Sequence, residues 1–431
     1  QAYNFLVSLF NLPRKEYMTD PRHCGWYLKR LQFFLGLIGN PEKKIPHYIH
    51  VTGTSGKGSV TAYLHSILQA SGKKVGSTYS PHPTTIIERW KVDSKFMSKK
   101  EFVEIVEYLK PKLDEYIVKT PYDMLSFFEI MEAIGLIFFA RKKISWAIME
   151  VACGGRTDSS NIIPWKDIAV ITNIGVDHIG VLGNNKKEIA YEKAGIIKPG
   201  CSVFTMEKNS KIRKIIEKEC KQQRIKNYHY IKPGKLTSVN YGLNSTDFIY
   251  HNQKYHTPVL GPHQIKNIIL CVEIAKYLKI NSQTIQKGLD RVYQPLRMEA
   301  VSKRPLIILD GAHNPDKIKT TVETIRTLKF NNLNLLVGFS GDKNVSKMIK
   351  ELAVLKPKSI SVTRNTTNPF RKVADPRLIA KSLKKLLPKS KIKIFLEPRI
   401  AFQWSKKQTA RNDCLLVTGS IFLSGEIKPH I

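Results

Sequence analysis

A glycine-rich run at residues 53–59 (GTSGKGS) has the composition of a phosphate-binding turn. It follows a short strand-like run at residues 48–52, and apolar residues recur at helical spacing over residues 59–69. Glycines let backbone N–H groups turn toward a phosphate, the helix N-terminus adds its dipole, and Lys57 can reach the β- and γ-phosphates. Such a turn alone is often only a tight turn, but the strand, lysine and helix in register favour phosphate binding. Gly58 stands where a magnesium-binding serine or threonine usually follows the lysine.

A carboxylate at the end of a second strand-like run is a candidate metal ligand. Glu150 lies near the end of the apolar run at residues 145–151, and small residues that include Gly154 and Gly155 follow it. In an open α/β sheet, ligands bind at the carboxyl ends of the strands. Glu150 could hold Mg²⁺ there, and the glycines would allow close backbone approach. A strand-end glutamate that only faces solvent would not explain the small residues.

Three other candidates follow along the chain, and the first two of them are weak when each is taken alone. His178 follows a predicted strand, but a single histidine is more often a satisfied loop residue than a ligand. Lys193, in the run at residues 192–200, would alone be a solvated helix lysine. Asp310 directly follows the first strand of a second α/β region, where it is well placed to hold a nucleotide ribose.

The elements that would position these residues form two successive strand–helix alternations. The first has strands at residues 145–151 and 167–174, with a helix at residues 125–139 packed between them. Residues 208–256 are polar and rich in Asn, Lys and Tyr, which predicts an irregular, peripheral part of the first domain. A second alternation begins near Arg297 and predicts a separate doubly wound sheet. Its predicted strands are residues 306–310, 333–338, 359–363, 392–396 and 414–419.

The length of 431 residues and the hydrophobic share of 42% are those of a soluble globular protein with two or three domains. The longest nearly apolar stretch, residues 133–140, is too short to cross a bilayer, so no membrane association is expected. Residues 1–10 lack the pattern of a secretory signal. The six cysteines are scattered without a CxxC pair, which predicts reduced thiols in the cytoplasm and argues against structural zinc.

The charge balance is strongly basic. Seventy Lys and Arg residues against 35 Asp and Glu give a net charge of +35, which could indicate a polyanionic partner such as a nucleic acid. The basic residues are spread from end to end, and the sequence has no RNP-type aromatic motif, zinc finger or obvious recognition helix. A lysine-coated surface is therefore favoured over specific nucleic-acid binding. A positive field would also attract anionic substrates such as ATP.

Nine runs together resemble the folylpolyglutamate and dihydrofolate synthases of the Mur-ligase-like superfamily. They occur in the order expected for that family and cover essentially the whole chain. The resemblance implies a P-loop-containing, Mur-ligase-like α/β central domain at residues 1–296 and a smaller, Rossmann-like α/β glutamate-ligase domain at residues 297–431. The runs are GTSGKGS (53–59), SPH (80–82), EVACGGRTDSSN (150–161), DHIGVLG (177–183), EKAGIIKPG (192–200), GPHQIKN (261–267), PLRME (295–299), DGAHNP (310–315) and TGSIFLSGEI (418–427).

The resemblance implies an ATP site and a Mg²⁺ site. The nucleotide residues that it implies are Gly53, Gly56, Lys57, Gly58, Ser59, Val60, Asn267, Arg297 and Asp310. The metal ligands that it implies are Ser80, Glu150 and His178, so the metal hydroxyl would come from Ser80 rather than from the residue after Lys57. Lys193 matches the lysine that is carbamylated in this family. The catalytic residues that it implies are Lys57, Glu150, His178, Lys193 and His313.

The contacts to the folate-type acceptor are less specific. Phe127 and Phe128 could stack on a pterin ring, with Thr157 and Asp158 across the same crevice. Core packing of the two phenylalanines, which lie on an apolar helix, is the alternative. The sequence has TDSS, SPHP and LSFFE where many relatives have LDAT, SPHL and TYFE. These departures leave the ATP and metal residues in place and leave the preferred pteroyl substrate open.

The reaction implied is ATP-dependent ligation of L-glutamate to dihydropteroate, to tetrahydrofolate polyglutamates, or to both. ATP would phosphorylate the acceptor carboxylate, the glutamate amine would attack the acyl phosphate, and ADP and phosphate would be released. Closure of the second domain would bring Asp310, His313 and Arg297 onto the site, and a monomer is expected. Three alternatives stay open: a simple NTPase or phosphotransferase, a nucleic-acid-binding module, and a Mur-like ligase acting on a cell-wall precursor.

Overall fold

Two units make up the part of the chain that the computed structural model describes. The first unit is Gln1–Pro233 with Asn267–Gly288, and the second is Gly234–Lys266 with Leu289–Ile431. The predicted domain division at residue 296 stays a prediction. The described residues are 1–9, 12, 24–82, 84–175, 180–234, 236–242, 245–341, 344–367 and 372–431, with the side chains of residues 24 and 25 excepted.

An eight-stranded sheet forms the centre of the first unit. Its strands are β1 (His47–Thr52), β2 (Val75–Thr78), β3 (Trp90–Val92), β4 (Lys95–Phe96), β5 (Trp146–Glu150), β6 (Ile168–Ile171), β7 (Ser202–Thr205) and β8 (Asn227–Tyr230). They lie in the order β4-β3-β2-β5-β1-β6-β7-β8, with β3 and β4 antiparallel at one edge and the others parallel. The predicted strands β1, β5 and β6 are confirmed, and nearly every residue in them is buried.

The register of this sheet places the glycine-rich run at residues 53–59 beside Glu150. Val51 of β1 pairs with Glu150 of β5, so the turn that begins at Gly53 starts beside the end of β5. Parallel strands end at the same edge, which explains how residues about 100 positions apart meet.

Helices pack against this sheet. Those in the first part of the chain are α1 (Ala2–Ser8), α2 (Cys24–Leu37), α3 (Lys57–Ala70), α4 (Lys99–Lys119), α5 (Phe127–Lys142), α6 (Lys186–Ala194), α7 (Ser210–Gln222), α8 (Pro262–Tyr277) and α9 (Ser282–Asp290), with 3-10 turns at Pro41–Lys44, Ile86–Arg89 and Ser159–Ile162. α2, α4 and α5 share one hydrophobic core with the side chains of Ala147 and Met149. α6 and α7 share another with Ala169 and Ile171. No helix in the described ranges is long and apolar enough to cross a membrane.

The N-terminus of α5 is fixed by a capping box. The Ser126 hydroxyl accepts from the Glu129 N–H at 3.3 Å, and the Glu129 carboxylate accepts from the Ser126 N–H at 2.7 Å. The predicted helix at residues 125–139 is confirmed with this start and a later end. The box fixes the first turn of α5, and with it the positions from which the side chains of Phe127 and Phe128 project.

A six-stranded sheet forms the centre of the second unit, as the second alternation predicts. Its strands are β12 (Glu299–Lys303), β13 (Leu306–Leu309), β14 (Leu333–Val337), β15 (Ser359–Val362), β16 (Lys391–Ile394) and β17 (Cys414–Thr418), in the order β12-β13-β17-β14-β15-β16. All pair in parallel except β12, an antiparallel edge strand that its polar composition did not reveal. The helices are α10 (Pro315–Ile325), α11 (Val345–Ala353), α12 (Pro376–Leu386), α13 (Pro398–Gln408) and α14 (Ile421–Ile427), followed by a 3-10 turn at Lys428–His430.

The interpretation of residues 208–256 as irregular is wrong. The segment holds α7, β8 and a three-stranded antiparallel sheet of β9 (Leu236–Tyr241), β10 (Thr246–Tyr250) and β11 (Gln253–Thr257). Its strands are half-exposed, so polar residues interrupt the apolar pattern. Cross-strand contacts such as the stacked rings of Phe248 and Tyr255, 5.4 Å apart, stabilise the small sheet.

Candidate functional site

The glycine-rich turn joins β1 to α3, as predicted, and it takes backbone conformations that favour glycine. Gly53 and Gly56 have φ values of +146° and +87°. A Cβ at Gly56 would lie 2.6 Å from Asn267 Oδ1, so the turn and α8 pack without room for a side chain. α3 begins directly afterwards at Lys57, and a helix N-terminus presents N–H groups that have no intrahelical acceptor. Val60 is fully buried, so only its backbone can contribute to a ligand site.

Side chains from the segment after β6 hold the turn in place. Thr172 Oγ1 donates to Ser55 O at 2.6 Å, and the Ser55 N–H donates to Asn173 Oδ1 at 2.9 Å. The Gly175 N–H donates to Thr54 Oγ1 at 2.8 Å. The sequence carries no local sign of these supports, because they join residues 117 to 121 positions apart.

Two predicted lysines meet at the start of the turn. Lys57 Nζ donates to Gly53 O at 2.9 Å, and Lys193 Nζ, from α6, donates to the same oxygen at 3.1 Å. Lys193 is only 2% exposed, so it is not the solvated helix lysine that its sequence position alone would suggest. The run at residues 192–200 therefore belongs to the same site as the glycine-rich turn.

Glu150 and Ser80 lie beside the N-terminus of α3. The Glu150 side chain is buried, and its Oε2 accepts from the Ser80 N–H at 3.0 Å. A Cβ at Gly58 would lie 3.3 Å from the same oxygen, so a larger residue there would push against the Glu150 carboxylate. A carboxylate and a hydroxyl oxygen are ligands that suit Mg²⁺. The third predicted ligand, His178, lies outside the described residues, and the described ones hold no cluster of three His, Cys, Asp or Glu residues.

Glu150 and Ser80 also line a pocket in the first unit. Among the described residues, the lining is Thr78, Tyr79, Ser80, Arg89, Trp90, Phe128, Met131, Glu132, Glu150, Ala152, Asp158 and Ser159. Aromatic rings, one cation and three carboxyl groups therefore surround a space that adjoins the glycine-rich turn. A cleft in which aromatic rings and a few polar groups converge is typical of small-molecule binding.

The two predicted ring-stacking residues differ in burial, although their ring centroids lie only 5.8 Å apart. Phe127 packs in the hydrophobic core, as the core-packing alternative states. Phe128 is 44% exposed and lines the pocket. The Arg89 guanidinium carbon lies 5.8 Å from the centre of the Phe128 ring. Of the pair, Phe128 is the ring that a ligand in the pocket would contact.

Asp158 is a buried carboxyl group of this pocket. Its Oδ2 accepts from the Cys153 N–H at 2.8 Å, and its Oδ1 accepts from both the N–H and the hydroxyl of Ser160. Burial raises the pKa of Asp158, while these hydrogen bonds and the charge of Lys57 oppose the rise. Thr157 is half-buried beside it.

A row of buried polar residues lies behind Ser160. His50 Nε2 lies 2.9 Å from Ser160 Oγ, and Lys166 Nζ lies 2.8 Å from His50 Nδ1. Burial, and then the charges of Lys166 and Lys198, hold the pKa of His50 well below its usual value, so the ring is neutral. A histidine inside an apolar strand was the sequence signal for this row.

The predicted residues of the second unit also gather around one strand end. Asp310 directly follows β13, and its carboxylate accepts from Thr321 Oγ1 at 2.6 Å and from the Met298 N–H at 3.3 Å. The structure thereby brings together the runs at residues 295–299 and 310–315. His313 Nδ1 lies 2.8 Å from Gly311 O, and its Nε2 lies 3.1 Å from Lys317 Nζ. Arg297, next to Met298, is half-buried.

Comparison with known proteins identifies the family. The model of the Mur ligase middle domain matches residues 51–275, and that of the Mur ligase glutamate ligase domain matches residues 296–421. The chain is 31% identical, over 421 residues that cover 94% of each protein, to the dihydrofolate synthase/folylpolyglutamate synthase of Bacillus subtilis. The chain belongs to the folylpolyglutamate/dihydrofolate synthase family.

Other members of this family agree. The folylpolyglutamate synthase of Lacticaseibacillus casei is 27% identical over 416 residues, 93% of each protein. The crystal structure of the folylpolyglutamate synthase from Thermotoga maritima matches with a TM-score of 0.82 at 26% identity, covering 99% of this chain and 96% of that one. These findings confirm the predicted family and the predicted two-part α/β Mur-ligase fold.

Proposed function

We propose that this chain is an ATP-dependent ligase that joins L-glutamate to a folate-type carboxylate and releases ADP and phosphate. One observation carries the proposal. Glu150 lies beside Gly58 at the start of α3 and also lines the pocket that holds Phe128 and Asp158. The phosphate-binding turn and the acceptor pocket therefore share a wall, which is the arrangement that phosphoryl transfer between two bound substrates requires.

The chemistry begins with activation of the acceptor. A carboxylate is a poor electrophile, so one of its oxygens attacks the γ-phosphorus of ATP, the bond to ADP breaks, and an acyl phosphate forms. The glutamate amine then attacks the acyl carbon and loses a proton, and phosphate leaves from the tetrahedral intermediate. The Lys57 ammonium group has three donors, one of which bonds Gly53 O, and the others can stabilise charge on the transferring phosphoryl group.

Ser80 and Glu150 would hold Mg²⁺, with His178 as the third ligand. When bound, the metal neutralises charge on the triphosphate oxygens. The Glu150 carboxylate fits that role because its oxygens are suitable ligands for Mg²⁺ and are shielded from water. Its Oε2 lies 3.0 Å from the Ser80 backbone nitrogen, so the two predicted ligands are neighbours. Carbamylation of Lys193 also belongs to the proposal, and the burial of this lysine beside the turn supports it.

The remaining assignments follow from the resemblance. Asn267 supports the nucleotide site, Arg297 and Asp310 contribute nucleotide contacts, and His313 has a catalytic role. The acceptor is dihydropteroate, a tetrahydrofolate polyglutamate, or both, and it contacts Phe128, Thr157 and Asp158. A monomer and a cytoplasmic setting belong to the same proposal and rest on the sequence.

Formation of ADP by the purified chain tests the proposal. The assay contains Mg-ATP and L-glutamate, with dihydropteroate or tetrahydrofolate added in separate reactions. We expect ADP only when both glutamate and one pteroyl acceptor are present, and the Glu150→Ala variant should be inactive while still folded. Equal ATP consumption without either substrate would contradict the ligase and favour a simple NTPase.

A further inference from the structure

Glu132 is an ionisable residue of α5 that lies one turn after Glu129 and directly before a long apolar run. The first seven residues that follow it in α5, residues 133–139, are apolar or glycine and are all buried. Its side chain lines the pocket together with Asp158 and Arg89. Its Oε1 atom is out of contact with solvent and has no hydrogen-bond partner within the described parts of the chain. A buried, unpaired oxygen is costly, and a ligand in the pocket would satisfy it.

The Glu132 carboxyl group retains its proton near neutral pH. Burial, and then the nearby charge of Asp158, raise its pKa to about 8, although Arg89 opposes the rise. A protonated carboxyl group donates through its O–H. Glu132 therefore offers the pocket a hydrogen-bond donor on a side chain that would ordinarily only accept.

Asp158 is a hydrogen-bond acceptor, in contrast to Glu132, because protein donors on the side away from the pocket already point at its carboxylate. Behind it, Lys166 Nζ lies 2.8 Å from His50 Nδ1, and His50 Nε2 lies 2.9 Å from Ser160 Oγ. The Ser160 hydroxyl then donates to Asp158 Oδ1. With these donors in place Asp158 must accept, so of the two carboxyl groups Glu132 is the one that keeps a proton.

We propose that Glu132 is a specificity-determining residue for the acceptor and donates its carboxyl O–H to the nitrogen heterocycle of the pteroyl group. Asp158 accepts from the N–H groups of the same ring, and the exposed face of Phe128 covers it. A nitrogen heterocycle presents donors and acceptors side by side. Its acceptor matches the protonated Glu132, and its donors match the Asp158 carboxylate. The inference rests on the proposed function, because it takes the pocket to be the acceptor site.

Other ionisable groups face Glu132 from the surrounding elements. Arg89 approaches from the 3-10 turn, and burial lowers its pKa. Tyr48 approaches from β1 and Tyr79 from the segment after β2, and burial raises both of their pKa values further above the neutral range. Glu150 lines the pocket from the end of β5. Because these groups could contribute to any pH profile, the test compares variants at Glu132 itself.

The test uses Glu132→Gln, which keeps a donor of the same size, and Glu132→Leu, which removes it. The full-length protein is titrated with dihydropteroate by direct binding, and kcat and KM are measured for ATP and for the acceptor. We expect Glu132→Leu to raise the acceptor KM about tenfold, the effect of losing one hydrogen bond to a buried group, while the KM for ATP stays unchanged. Glu132→Gln should restore most of the acceptor affinity.

Binding of dihydropteroate to the unchanged protein should weaken about tenfold between about pH 7 and pH 9, since a tenth of the carboxyl groups keep their proton one unit above the pKa. Glu132→Gln should remove this dependence. Glu107→Gln, at an exposed carboxylate on α4 paired with Lys110 at 2.7 Å, is the matched control and should behave as the unchanged protein does.

An unchanged acceptor KM in Glu132→Leu, or the same pH dependence in Glu132→Gln, would overturn the inference while leaving the ligase assignment intact. Absence of both acceptor binding and acceptor-dependent ADP formation in the unchanged protein would instead overturn the proposed function, and the inference with it.

Discussion

Replacing Glu129 by glutamine should destabilise the first unit by about 3 kcal/mol, because it removes the main charged partner of a buried arginine. Arg30 is only 1% exposed, and its Nε donates to the two carboxylate oxygens of Glu129 at 2.8 and 3.0 Å. Arg30 Nη2 also donates to Glu129 Oε2 at 2.5 Å, and a fourth contact joins Arg30 Nη1 to Asp123 Oδ1 at 2.8 Å. The two carboxylates raise the pKa of Arg30 against the effect of burial, so the guanidinium stays charged.

The magnitude follows from the contacts. Removing one partner of a buried ion pair costs about 3–5 kcal/mol, mainly because the other charge is left uncompensated. Asp123 remains beside Arg30, which places the estimate at the lower end. Glutamine keeps the volume of Glu129 and an oxygen that can accept from the Ser126 N–H, so cavity and capping effects are small. For a unit of this size the melting temperature should fall by roughly 10 °C.

Differential scanning calorimetry and urea unfolding measure the effect. Glu115→Gln is the control. This half-exposed glutamate on α4 pairs with Lys112 at 2.7 Å and Lys119 at 2.8 Å, and its loss should not shift the transition measurably. Adding Arg30→Met to Glu129→Gln should recover stability, because it removes the unpaired charge. A Glu129→Gln variant that melts within about 2 °C of the unchanged protein would refute the reasoning.

Three further predictions follow from the site. Lys57→Ala should lower kcat at least about 100-fold, as seen when one stabilising donor is lost, with an unchanged melting temperature in the same calorimeter. Gly56→Ala should raise the KM for ATP about tenfold, since its Cβ would lie 2.6 Å from Asn267 Oδ1. Gly200→Ala is the control: this glycine also has a positive φ, +75°, but a Cβ there would meet no other atom, so the KM for ATP should stay unchanged. Burial lowers the pKa of Lys198 from 10.5 to about 8. Between pH 8 and pH 10.5 the unfolded chain therefore binds more protons than the folded protein, and the free energy of unfolding rises with pH by up to about 1.4 kcal/mol per unit. Lys198→Met should remove that rise in urea unfolding across pH, and an equal slope in both proteins would contradict the assignment.

Much of the fold could be predicted because the central strands are short, continuous apolar runs. β1, β5 and β13 are buried along almost their whole length, and each ends at a residue or turn with an evident chemical role. Glu150 and Asp310 were found by the same rule, since both lie at strand ends. The half-exposed strands β9 and β12 escaped prediction because their pattern mixes polar and apolar residues.

The contacts that shape the pocket could not be predicted, because they join distant parts of the chain. The hydrogen bond from His50 to Ser160 spans 110 positions, and the burial of Lys193 depends on how α6 packs. Glu132 did leave a signal, as a carboxylate directly before a long apolar run. Its protonation, however, depends on Asp158 and Arg89, whose positions only the tertiary structure supplies.

Transfer of a heavy-oxygen label tests the central claim most directly. The acceptor, labelled in its carboxylate oxygens, is incubated with Mg-ATP, L-glutamate and the purified protein, and the products are weighed by mass spectrometry. An acyl-phosphate ligase should yield an acceptor extended by one glutamyl residue and released phosphate that carries one labelled oxygen. Phosphate without label, or ADP formed while the acceptor stays unextended, would contradict the account.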